Sequence, residues 1–152
     1  MSISAKNIKL PPAHAPGKGV AEALNAATFV AKSATVSCTG GDTYPALLFN
    51  VPKDVYIEDV VIHTTTALTG AAPDTLIVGI DSDCDAFHSS SDVVNEGSHS
   101  MLYGTAHDAG GYLCTGDQVV QADVSAATTA GAFYAVLKYR PRMTSKPFTH
   151  NP

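Results

Sequence analysis

The sequence predicts an all-β protein, an antiparallel sandwich or closed barrel of about eight strands with an extended arm at each end. Three observations predict it. Runs of β-branched and aromatic residues recur from Thr28 to Arg140, divided by Gly, Pro and Asp clusters. No long stretch carries the 3.6-residue apolar period of a helix. Both termini are broken by prolines, which cannot join an interior ladder.

Residues 1–25 form the first arm: Pro11, Pro12, Pro16, Gly17 and Gly19 interrupt isolated apolar residues, Ile3, Ile8 and Leu10. Val20 to Ala27 has the composition for one or two helical turns, too short to hold without packing. The body spans residues 26–140. Its expected strands are Phe29 to Cys38, Ala46 to Val51, Val55 to Thr66, Thr75 to Ile80, Met101 to Tyr103, Tyr112 to Thr115, Gln118 to Ser125 and Phe133 to Arg140. A period of two puts Leu76, Val78 and Ile80 on one face, and Val120, Ala122 and Val124 likewise, so these are the expected core. In the Val55 run the parity flips: Val55 and Ile57 share one phase, Val60 and Ile62 the other. That flip places a β-bulge at Glu58 and Asp59. Residues 141–152, PRMTSKPFTHNP, form the second arm, with Arg142, Met143, Lys146 and Phe148 and no acid.

At 152 residues, 45% hydrophobic and 15% charged, the chain can bury the core of one domain. A net charge of −5 argues against nucleic acid as the partner of the body. Cys38, Cys84 and Cys114 are odd in number and form no C-x-x-C pair, so they read as small hydrophobes in a reducing compartment. The N-terminus lacks the apolar core of a signal peptide, and nothing approaches about 18 consecutive apolar residues, so a soluble product made in the cytoplasm, with no membrane partner, is expected.

Most of the polar motifs have a plain reading. GIDSDCDAFH, residues 79–88, spaces Asp81, Asp83 and Asp85 like the opening of a calcium loop, with Asp92 at the twelfth position. The match then fails, because Ala86 stands where the EF-hand needs glycine and no helix flanks the loop. A polar turn is the expected structure, and an irregular calcium site on Asp81, Asp83 and Asp85 the alternative. His88, His99 and His107 fit no zinc spacing and read as solvated loop residues, while His63 reads as a hydrogen-bonded sheet residue. GSHS at 97–100 is not a nucleophile elbow, and neither TGGD nor AGGY is a phosphate loop. Glu58 and Asp59 point to opposite sides of a regular strand and are expected in solvent unless the bulge redirects them. No catalytic group, metal or cofactor is therefore assigned, and the chain is not expected to be an enzyme.

Three segments carry a resemblance: FNVPKDVYIEDVVIHTTTALTG (49–70), DTLIVGIDSD (74–83) and TTAGAFYAVLKY (128–139). In each, a turn leads into a strand in a recurring way: Pro-bounded into a Thr-rich strand, T-L-x-V-G into an acidic turn, T-A-G into an aromatic and aliphatic strand. Over residues 46–140 the chain resembles the capsid decoration, or cement, proteins of tailed bacteriophages. The resemblance implies a jelly-roll-like sandwich on the outer surface of the virion head, bridging neighbouring major capsid subunits. It also implies a homo-oligomer, dimer or trimer, matched to the shell's symmetry axes. Ile3, Ile8, Leu10, Pro11, Pro12, Arg142, Met143 and Phe148 are then the partner-binding residues of the arms. Two other classes remain open at this point: a head- or tail-mounted binding module, lectin-like or calcium-dependent, and a small hydrolase with a loop-built site on His88, His99 and His107.

Overall fold

The computed structural model describes residues 8–9, 27–39, 45–70, 76–88, 94–101, 111–124 and 128–142. Ile3, Leu10, Pro11, Pro12, Met143, Phe148, His107 and the candidate helical turn at 20–26 lie outside them. Two sheets face each other across one core, so the expected sandwich is present, and no α-helix occurs among the described residues.

The spine is a pair of long strands, β5 (Val55–Gly70) and β11 (Thr128–Pro141), paired antiparallel from Val55 opposite Pro141 to Gly70 opposite Thr128. Around them the six-stranded sheet adds β2 (Phe29–Lys32) and β3 (Val36–Thr39) on β11, and β8 (Gly97–Ser100) and β9 (Tyr112–Leu113) on β5. The five-stranded sheet runs β1 (Ile8–Lys9), β4 (Ala46–Val51), β10 (Gln118–Val124), β6 (Leu76–Ile80), β7 (Asp83–His88). β1 pairs parallel with β4, Ile8 opposite Phe49 and Lys9 opposite Asn50. At those two residues the N-terminal segment is an edge strand of its own subunit.

The period-two faces hold. Leu76, Val78 and Ile80 are buried and lie directly opposite Val124, Ala122 and Val120, also buried. Alternation breaks where β4 bulges: the register slips between Val120 and Gln121, which lets adjacent Leu48 and Phe49 both enter the core. β5 carries the expected bulge. Lys138 faces Asp59 while Tyr139 faces Ile57, so Glu58 is the unpaired extra residue and Val55, Ile57, Val60 and Ile62 are all buried.

Three expectations need correction. The run from Phe29 to Cys38 is two strands, because Ser33 breaks the ladder while keeping its hydrogen bonds: its backbone N–H donates to Ala135 O at 2.9 Å, and its Oγ accepts from Ala135 N at 2.9 Å. The acidic stretch is a turn only at Asp81 and Ser82; from Asp83 the chain returns as β7, Ile80 opposite Asp83. Gly79 permits this close return, since a Cβ there would collide with the backbone of Asp83 and Cys84. Finally, Cys38 and Cys114 are buried as small hydrophobes, burial raising the Cys114 thiol to about 12, but Cys84 is exposed because it lies near the tip of the β6–β7 hairpin.

Candidate functional site

With Ile57, Val60, Ile62, Phe133, Ala135 and Leu137 turned into the core, the alternate residues of β5 and β11 face outward. They make the outer face of the six-stranded sheet, crossed by three rows of polar contacts. In the first row Lys32 Nζ lies 3.8 Å from the centre of the Tyr134 ring, Tyr134 stacks on His63 at 4.7 Å and 16°, and His63 Nδ1 is 2.7 Å from Ser98 Oγ. Each member sits on a different strand, β2, β11, β5 and β8. The second row centres on Asp59, whose Oδ1 accepts from Ser100 Oγ at 2.7 Å and whose Oδ2 lies 3.3 Å from Lys138 Nζ. In the third row Arg140 Nε is 3.5 Å from Glu58 Oε1 with the guanidinium 4.7 Å above the Tyr56 ring, and Thr28 Oγ1 donates to Glu58 Oε2 at 2.7 Å.

The bulge at Glu58 is what turns both adjacent carboxylates toward this face. The sequence expectation of two solvated acids fails for Asp59, whose side chain is 4% exposed beneath Lys138. Desolvation of that carboxylate is offset by its hydroxyl and ammonium partners. Partial burial first, then the charges of Lys32, His99 and Lys138, hold the His63 pKa below its ordinary value, so the ring is neutral at neutral pH. His63 is a hydrogen-bonded sheet residue, as its position inside an apolar strand implied.

A serine hydroxyl against an imidazole is one half of an activated nucleophile. The other half is missing among the described residues. His63 is oriented by an aromatic ring rather than a carboxylate, and the two oxygens of Asp59 are taken by Ser100 and Lys138. The histidines expected in solvated loops are also placed differently. His88 is buried, its Nε2 2.7 Å from Val60 O, and His99 on β8 puts Nε2 3.0 Å from Asn95 O. Both lie on edge strands instead of in loops; the polar residues around them mask those strands in the sequence, because an edge strand needs only one apolar face. Asp81, Asp83 and Asp85 do not converge, and among the described residues no three His, Cys, Asp or Glu side chains gather as metal ligands. Of the arm residues, Arg142 is described: its side chain is exposed and its N–H donates to Asp54 O at 2.6 Å.

No protein-family model matches the chain, and no curated protein matches it in sequence. Solved structures do match. The fold is that of chains found in two phage capsids. A chain of the cyanophage Pam1 capsid asymmetric unit superposes with a TM-score of 0.61 at 19% identity, covering 86% of this chain and 94% of that one. A chain of the acidic stable capsid structure of Helicobacter pylori bacteriophage KHP30 gives 0.58 at 15% identity, covering 76% of this chain and 89% of that one. At such identities the likeness establishes a shared sandwich fold.

Proposed function

We propose that this protein is a structural component of a tailed-phage virion that decorates the outer surface of the head and cements it by bridging neighbouring major capsid subunits. The observation that carries the proposal is the sandwich shared, over most of both chains, with components of two phage capsid structures. The outer face of the six-stranded sheet suits contact with another subunit of such an assembly: its polar side chains are held in cross-strand rows, so little side-chain freedom is lost when a subunit docks on it. Ile3, Ile8, Leu10, Pro11, Pro12, Arg142, Met143 and Phe148 are the arm residues assigned to partner contact, and the protein acts as a homo-oligomer on the shell. No catalytic step is part of this role.

The test is co-sedimentation with heads assembled without the protein. Deleting residues 143–152, or residues 1–7, which stops short of β1, is expected to abolish binding while the far-ultraviolet circular dichroism of the sandwich is retained. Full occupancy by both truncated proteins would overturn the assignment of the arms, and failure of the intact chain to bind heads would overturn the function.

A further inference from the structure

The two layers of the sandwich differ in charge. In the five-stranded sheet β1 holds Lys9, while β4, β6, β7 and β10 contain no Lys or Arg yet hold Asp83, Asp85 and Asp123, with Asp81 in the turn between β6 and β7. Asp81, Ser82, Asp83 and Cys84 are all exposed, so this hairpin presents a bare acidic tip. The opposite layer is basic at its surface. Lys32, Lys138 and Arg140 face outward from adjacent strands; Lys138 and Arg140 are paired with Asp59 and Glu58, which leaves Lys32 as the uncompensated cation of the face. Among the described residues Lys32 has no carboxylate in ion-pair range; its ammonium rests on Tyr134. Beside it Val30 is 65% exposed, an apolar edge-strand residue on the same face.

We infer that the outer face of the six-stranded sheet docks a second copy of this chain, taking the acidic β6–β7 hairpin of that copy against Lys32 and the exposed Val30 beside it. Charge complementarity selects the occupant: like faces would set cation against cation, whereas the hairpin supplies Asp81, Asp83 and, half-buried, Asp85 with no competing base. The contact joins two different surfaces, so repeated head to tail it closes as a ring where the rotation closes and otherwise extends as a filament. It therefore favours an assembly of three or more copies over a twofold dimer. This inference rests on the homo-oligomer part of the proposed function, and its test uses the protein alone, so that failure to bind heads and failure to self-associate are read separately.

Sedimentation velocity of the full chain at low salt is expected to show a species larger than the 15.7 kDa monomer, lost at about 1 M salt, where screening shortens to about 3 Å. Lys32→Glu, and separately the double change Asp81→Lys with Asp83→Lys, should each weaken association about tenfold or more. All these side chains are exposed, so the fold should be kept, which circular dichroism checks. Mixing the two variants is expected to restore association, because each then offers the charge the other lacks. A chain monomeric at low salt, association indifferent to either variant, or a mixture that fails to recover would each overturn the inference.

Discussion

His88, on an edge strand of one sheet, places its Nε2 2.7 Å from the backbone carbonyl of Val60 on the spine strand of the other. A carbonyl only accepts, so Nε2 carries a proton, and burial favours the neutral form of the ring. The bond ties the two layers together next to the β5 bulge, inside a core that otherwise holds them by apolar contact.

Burying His88 makes stability depend on pH. Burial is the largest influence on His88 and lowers its pKa; the Val60 carbonyl and Asp59 oppose it only in part. The unfolded chain, with an ordinary histidine pKa of about 6.5, therefore binds more protons than the folded one as the solution is acidified. Stability is fully present above about pH 6.5 and is lost as pH falls toward the lower folded value. His63 shifts in the same direction but is well solvated, so its share is small. Urea melts between about pH 7.5 and 5 should show this slope, and His88→Phe should flatten it while costing about 1–3 kcal/mol at pH 7 for the stranded carbonyl. A slope that survives His88→Phe unchanged would contradict the assignment.

The bulge gives a second prediction. Deleting Glu58 would force β5 into a flat register and turn one apolar set, Val55 and Ile57 or Val60 and Ile62, to the outside. The deletion variant is expected not to fold by circular dichroism. Glu58→Ala keeps the extra residue and loses only contacts near the surface with Arg140 and Thr28, so it should cost less than about 1 kcal/mol. A stable deletion variant would show that the extra residue is not required.

Both the bulge and the core faces of β6 and β10 were legible in the sequence, because the period-two rule reports directly on which side of a sheet a residue lies. Strand β7 was not. Its first residues, Asp83, Cys84 and Asp85, are those of a turn, and only its second half, Ala86 to His88, is buried. GSHS was likewise opaque as β8, since its outward contacts to His63 and Asp59 depend on pairing with residues far away in sequence. The polar rows of the candidate face follow from register, and a sequence read one strand at a time does not show register.

Ser33 gives a third prediction. Its Oγ is the acceptor for the buried Ala135 N–H where the ladder breaks between β2 and β3. Ser33→Ala would leave that donor unsatisfied and should cost about 1–3 kcal/mol by urea denaturation. A loss within about 0.5 kcal/mol, the range of ordinary surface changes, would mean that the hydroxyl is dispensable.

Gly79 gives a fourth. Any side chain at this position meets the backbone of Asp83 and Cys84, which cannot swing aside as a side-chain tip could. Gly79→Ala is expected to cost about 1–3 kcal/mol through overpacking. Because the change pushes β7 away from β6, hydrogen exchange should also rise at the Asp83–His88 amides. Unchanged exchange there would contradict the close-approach explanation.

The most direct measurement for the whole account is a density map of a phage head assembled with this protein, compared with one assembled without it. The account predicts added sandwich-shaped density on the outer surface, each copy touching at least two major capsid subunits. Identical maps, or density confined to the interior, would contradict it.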